Sequence, residues 1–232
     1  MRSWDKSVQF YQRRAYTERV ATLIKNTNKT LMSEIILYPT ETVYALGVNP
    51  FDRDAWHYLC ELKGRRGYQT ASWLLPSVDD IAIYAKITPK AQELIDQYMP
   101  GPFTIVLAAK DFVPREVQAL DGTVSFRVSS DPVTQEIITQ YMSTYNAPLT
   151  CTSANRHGQP TMITPQNIAE QFGDKVQMIS KIIDDGPRFG APSTIVRCVD
   201  DVVTILREGS VPLRKPLPVS LSNMETLYAE IF

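Results

Sequence analysis

The sequence predicts an α/β (α+β) fold, a twisted mixed sheet with flanking helices. Two observations carry this. Short β-type runs at 103–109, 123–128, 178–183, 193–198 and 202–206 are interleaved with stretches of helical period. Three helical stretches also open alike, with Thr88-Pro89, Asp131-Pro132 and Thr164-Pro165 each setting a side-chain oxygen before a proline. The oxygen can accept a free N–H of the first turn, and the proline stands where a missing N–H costs nothing.

The elements follow in order. Residues 5–25 place Val8, Tyr11, Ala15, Val20 and Leu23 at roughly helical period. The run Ile35-Ile36-Leu37, ending at Pro39, reads as a buried strand that delivers the loop Pro39-Thr40-Glu41-Thr42. Residues 52–63 read as a helix with Ala55, Tyr58, Leu59 and Leu62 on one face, and a strand-like run begins at Ala71. After Thr88, residues Ala91, Leu94, Ile95 and Tyr98 fall at i, i+3, i+4 and i+7, an amphipathic stripe. Residues 213–222 carry prolines and read as loop, and 223–232 as a short closing helix.

Composition narrows the function. The chain has 232 residues and is 44% hydrophobic, enough to bury a sizeable core. Its 24 basic and 25 acidic residues leave a net charge of −1, which argues against a protein that coats nucleic acid through a broad basic face. The three cysteines, Cys60, Cys151 and Cys198, are far apart and read as reduced thiols. The two histidines, His57 and His157, belong to no ligand-spaced cluster, so no protein-built metal site is expected. No apolar run approaches a membrane span and no signal peptide opens the chain, so a cytoplasmic protein without membrane partners is expected.

Four groups of residues can carry chemistry. Lys63-Gly64-Arg65-Arg66-Gly67 follows a helical stretch and sets cations among glycines, a pattern suited to phosphate, although a solvated turn has the same composition. Thr150-Cys151-Thr152-Ser153-Ala154-Asn155 offers hydroxyls and an amide to phosphate or ribose, or else caps a turn. Arg127 lies in the apolar alternation Thr123-Val124-Ser125-Phe126-Arg127-Val128. Facing inward it needs a partner such as a ligand carboxylate, whereas on an edge strand it would face solvent. Pro192-Ser193-Thr194 and Leu206-Arg207-Glu208-Gly209 put polar groups at strand ends, where open α/β sheets hold ligands. No Walker-type motif and no G-x-G-x-x-G occurs, so a nucleotide site must use another design.

Taken in order, these segments resemble the YrdC-like threonylcarbamoyl-AMP synthases. The matching pieces are Pro39-Thr40-Glu41-Thr42-Val43-Tyr44-Ala45-Leu46-Gly47, Lys63-Gly64-Arg65, Pro100-Gly101-Pro102-Phe103-Thr104, Phe126-Arg127-Val128, Thr152-Ser153-Ala154-Asn155, Asp185-Gly186-Pro187, Pro192-Ser193-Thr194-Ile195-Val196 and Arg207-Glu208-Gly209. The resemblance implies a YrdC-like catalytic domain over 34–211 enclosing a deep basic cavity. It also implies an N-terminal helical segment of the same domain over 1–33, a C-terminal tail over 212–232, and no second domain.

The implied reaction joins ATP, L-threonine and bicarbonate into threonylcarbamoyl-adenylate, with Mg²⁺ sharing the charge of the phosphates. The product would pass to a tRNA-modifying transferase. By the same resemblance, Lys63 and Arg65 are the catalytic cations. Arg65, Gln69, Thr123, Ser153, Thr161 and Arg207 line the nucleotide side, and Asn155 fixes the serine loop. Thr42, Arg127, Cys151 and Ser193 surround threonine, with Arg127 pairing its carboxylate. Three positions depart from the family pattern: Gln69 stands for a Lys or Asn, Ala45 for a glycine, and Ser129 for a proline. The uncharged Gln69 keeps a second reading open, a nucleotide- or RNA-binding module without synthase activity. A carbamoyl-transferring relative is a third.

Overall fold

The computed structural model describes residues 34–65 and 70–213. The expected helices over 5–25 and 223–232, the segments 1–33 and 214–232, and Gln69 lie outside the described residues.

Among the described residues nine strands form one mixed sheet. They are β1 (Ile35–Tyr38), β2 (Ala45–Gly47), β3 (Ser72–Leu74), β4 (Phe103–Ala108), β5 (Thr123–Arg127), β6 (Leu149–Ser153), β7 (Ile179–Ile182), β8 (Thr194–Val199) and β9 (Val202–Arg207). Their spatial order is β7-β1-β2-β6-β3-β5-β4-β8-β9. The pairs β7/β1, β3/β5 and β4/β8 are parallel and the other five antiparallel. This is the mixed sheet the alternating elements predict.

Five α-helices accompany the described sheet: α1 (Arg53–Lys63), α2 (Ile81–Tyr84), α3 (Pro89–Tyr98), α4 (Pro132–Tyr145) and α5 (Pro165–Phe172). All three Thr/Asp-Pro devices form as read. Thr88, Asp131 and Thr164 accept from the N–H groups of Ala91, Thr134 and Asn167 at 3.2, 2.8 and 3.2 Å. Asp52 caps α1 in the same manner, and Gly64 closes it at φ 67°, a conformation that costs glycine nothing. The stripe on α3 buries Ala91, Leu94 and Ile95, while Tyr98 stacks on Phe103 at 4.9 Å.

Sequence patterning misses two short elements. Helix α2 is a single turn without a stripe. Strand β2 has three residues, too few for a period, and is held between β1 and β6. At Gly47 a Cβ would lie 2.3 Å from the Thr150 carbonyl oxygen, so only glycine allows this approach. The hydroxyl run Thr150–Ser153 lies within β6.

The core gathers on one side of the alternation. Along β5, Val124 and Phe126 join the apolar cluster, with Phe126 edge-on to Trp73 at 5.9 Å. Thr123, Ser125 and Arg127 therefore point the other way. No helix among the described residues is long and apolar enough to cross a membrane.

Candidate active site

A cavity of about 180 Å³ lies against the sheet, with walls from β2, β3, β4, β5, β6, β8 and β9 and from the loops at 40–43 and 192–193. Its lining is dominated by hydroxyl side chains. Two guanidiniums, those of Arg127 and Arg207, are its charged groups among the described residues.

One wall begins in the β1–β2 loop. The Thr40 hydroxyl accepts from the N–H groups of Thr42 and Val43, both at 3.2 Å, and donates to the Val43 carbonyl at 2.6 Å. Such a side-chain-closed turn fixes the loop locally. It presents the Thr42 hydroxyl, 2.9 Å from that of Thr40, to Arg127. Arg127 is 5% exposed. Its Nη2 donates to Thr42 Oγ1 at 3.0 Å and forms an ion pair with Glu41 Oε1 at 3.0 Å, while its buried Nε has no partner among the described residues. The sequence left open whether Arg127 faces inward or outward, and strand order decides it. β5 lies between β3 and β4, so it is not an edge strand.

The opposite wall comes from β8 and β9. Arg207 Nε and Nη2 donate to the Ser193 carbonyl at 3.0 and 2.8 Å, and Nη2 also reaches Ser193 Oγ at 3.1 Å. Ser193 Oγ and Thr104 Oγ1 are hydrogen bonded at 3.0 Å. Gly209 lets the chain pass under this point, since a Cβ there would lie 2.3 Å from the Pro192 carbonyl oxygen.

The floor holds Ser125 and Ser72, paired through their hydroxyls at 3.0 Å, with Cys151 directly across from Ser72. Burial pushes the Cys151 thiol up, which Arg127 only partly offsets.

Of the residues singled out in sequence, Thr42, Arg127, Cys151, Ser153, Thr161, Ser193 and Arg207 line this one cavity. The others do not. Thr123 is two positions along the same face from Ser125, and its hydroxyl donates to Asp121 at 2.7 Å. Asn155 sits behind Ser153: its Oδ1 accepts from the Ser153 hydroxyl and its Nδ2 donates to the Arg156 carbonyl at 3.1 Å.

Lys63, expected on phosphate, is 4% exposed, and its Nζ donates to the carbonyls of Ser153 and Asn155, the latter at 2.8 Å. Burial, with Arg65 alongside, pushes its ammonium down to about 7. A helix-borne lysine packed among carbonyls has no free donor direction left for a phosphate.

Arg65 stands between these cases. Its guanidinium carbon is 5.2 Å from the centre of the Trp56 ring. Nη1 points to the Thr70 carbonyl and the Thr152 hydroxyl, both cavity residues, at 3.4 and 3.5 Å. Nε and Nη2 are buried and have no partner among the described residues.

Sequence reasoning passed over Ser72, Ser125, Thr40 and Thr104 as site residues, and Glu41 as a partner of Arg127. For Ser125 the signal was present: Thr123, Ser125 and Arg127 alternate with Val124 and Phe126. For Ser72 no local signal exists, because it reaches the cavity only through the pairing of β3 with β5 and β6.

A hydroxyl-lined cavity on a mixed sheet, at which Arg127 brings a buried Nε without a partner among the described residues, makes this an α/β protein with a site suited to a small polar anion. The chain belongs to the Sua5–YciO–YrdC family: the family model, described as "Telomere recombination", matches residues 30–209. It is 31% identical over 184 residues to the threonylcarbamoyl-AMP synthase of Pyrococcus abyssi, covering 78% of this chain and 52% of that one. It is 30% identical over 186 residues to a putative threonylcarbamoyl-AMP synthase of Methanocaldococcus jannaschii, covering 80% and 84%. The structure of Pyrococcus abyssi Sua5 complexed with L-threonine superposes with a TM-score of 0.70 at 27% identity, over 93% of this chain and 58% of that one. The chain thus spans about half the length of the Pyrococcus relative.

Proposed function

We propose that this chain is an L-threonylcarbamoyladenylate synthase acting on ATP, L-threonine and bicarbonate. The observation that carries the reading is Arg127: a buried guanidinium, fixed through one terminal nitrogen, with an unpartnered Nε at a hydroxyl-lined cavity. With Glu41 meeting its charge on one side, the guanidinium still offers a buried N–H, Nε, to a further acceptor. The threonine complex of a relative with the same fold names a fitting one, an amino-acid carboxylate.

In the proposed reaction the threonine amine and bicarbonate condense to a carbamate with loss of water. A carbamate oxygen then attacks the α-phosphorus of ATP, and pyrophosphate leaves with the electron pair of the broken P–O bond. Little covalent chemistry falls to the protein, so positioning and charge neutralisation dominate. Arg127 with Thr42 and Ser193 would hold threonine. Arg65, Ser153, Thr161 and Arg207 would serve the nucleotide, joined by Gln69. Lys63 would act by holding the Ser153–Asn155 turn rather than by touching phosphate. No cluster of His, Cys, Asp or Glu that could hold a metal occurs among the described residues, so Mg²⁺ is assigned no protein-built site. The adenylate would be consumed by a transferase that modifies tRNA.

The test is pyrophosphate release from ATP. It is expected only with threonine and bicarbonate together, and equal release without threonine would overturn the reading. ATP binding without pyrophosphate release would favour a nucleotide-binding module, the alternative that the uncharged Gln69 suggests.

A further inference from the structure

Arg127 is a long side chain that must hold one orientation to receive a carboxylate. Left alone in a buried site it would be an uncompensated cation with several rotamers. The structure supplies a counter-charge from behind. Glu41 Oε1 lies 3.0 Å from Arg127 Nη2, and the two side chains are 14% and 6% exposed. Arg127 and Thr42 line the cavity, whereas Glu41 does not. Glu41 is therefore placed to hold the guanidinium without occupying the ligand's space.

Glu41 is itself braced. Its Oε2 accepts from the Ser129 hydroxyl, and its Oε1 takes the Ser130 N–H at 3.4 Å. Ser129 is anchored in turn, because its carbonyl accepts from Gln135 Nε2 at 2.6 Å and its Oγ from the Asp131 N–H at 3.2 Å. Thr134, in the first turn of α4, donates to the Pro39 carbonyl at 2.9 Å and ties the helix to the same β1–β2 loop. Ser129 occupies the position where the family pattern has a proline, which has no hydroxyl to offer.

We propose that Glu41, braced by Ser129, is a positioning residue that orients Arg127 for the carboxylate of the amino-acid substrate. The proposal rests on the reading of Arg127 as the carboxylate partner. Nη2 donates to Thr42 and pairs in charge with Glu41, and the buried Nε has no partner among the described residues and is open to the ligand. The Ser129 hydroxyl takes the place of a fixed proline turn as the device that locks the β5–α4 connection onto the β1–β2 loop.

The test uses the full chain with four variants, E41A, E41Q, S129A and R127A. Each is titrated with threonine and with ATP by calorimetry and assayed for pyrophosphate release. E41A is expected to raise the threonine Kd and KM about tenfold, the worth of one charge-assisted hydrogen bond, with ATP Kd unchanged and kcat largely kept. E41Q is expected to recover part of the loss, since its amide oxygen keeps a negative dipole end beside Nη2 and its amide nitrogen can meet Ser129. S129A is expected to weaken threonine a few-fold in the same direction, and it carries the test should E41A fail to fold. Unchanged threonine affinity in E41A or S129A, or an equal loss for ATP and threonine, overturns the positioning role. Unchanged threonine affinity in R127A overturns instead the reading of the site on which it rests.

Discussion

The ammonium of Lys63, at the last turn of α1, donates to the main-chain carbonyls of Ser153 and Asn155, 90 and 92 residues further along the chain. One side chain thus sets the path of the turn that carries the Ser153 hydroxyl to the cavity. Replacing it with methionine keeps the packing and strands those carbonyls. The expected cost at mildly alkaline pH is about 1–3 kcal/mol, the penalty of a buried polar group left unpaired. Urea unfolding should show a lower midpoint at unchanged slope, and an unchanged midpoint would contradict the assignment.

The same lysine makes stability depend on pH. Its folded value is about 7 against an ordinary 10.5, so between these values the unfolded chain binds the extra proton. Its contribution is fully present above about pH 10.5, declines as pH falls toward 7, and is flat below that. The stability gap between wild type and Lys63→Met should therefore widen from pH 7 to pH 10. Parallel stability curves for the two proteins would rule out a neutral-range lysine.

Arg65 should matter for nucleotide and not for threonine. Its buried Nε and Nη2 have no partner among the described residues, and Nη1 reaches only long contacts at Thr70 and Thr152. Arg65→Ala is expected to weaken ATP by roughly 1.5–3 kcal/mol, the range for a hydrogen bond to a charged group. Calorimetry with ATP and, separately, threonine measures both effects. Equal ATP affinity would return this segment to the solvated turn that its composition also allowed.

Gly190 is pressed against the β1–β2 loop. A Cβ there would lie 2.4 Å from the Thr42 carbonyl oxygen, 2.6 Å from Thr42 Cα and 2.7 Å from the Glu41 carbonyl oxygen, all backbone atoms. Main chain cannot step aside as a flexible side chain can. Gly190→Ala should therefore displace the Glu41–Thr42 segment and cost about 1–3 kcal/mol of stability. Thermal unfolding and a threonine titration should both register the change, and a variant indistinguishable from wild type would show that the loops do not bear on each other.

The sequence by itself determined what depends on near neighbours. Helix starts at Thr88, Asp131 and Thr164 were legible because the cap is three residues from the N–H it satisfies. The alternation of Thr123, Ser125 and Arg127 with Val124 and Phe126 on β5 was legible because strand side chains alternate, but whether Arg127 faced inward was not. Both the cavity's guanidiniums and several of its hydroxyls, Thr42, Ser153 and Ser193 among them, were named because ordered short motifs keep their residues together along the chain, whereas Thr40, Ser72, Thr104 and Ser125 were not. The tertiary structure alone decided who stands opposite whom. Arg127 meets Thr42 across 85 residues, and Tyr38 meets the Thr150 carbonyl across 112. Lys63 looked like a phosphate ligand because a lysine before Gly64-Arg65 is locally indistinguishable from one. It is turned inward because α1 ends against the Ser153–Asn155 turn, where two carbonyls need a donor more than solvent needs a charge. Such pairings follow from the strand order β7-β1-β2-β6-β3-β5-β4-β8-β9, and no periodicity encodes that order, because a strand's pattern states which face is buried and not which strand lies beside it.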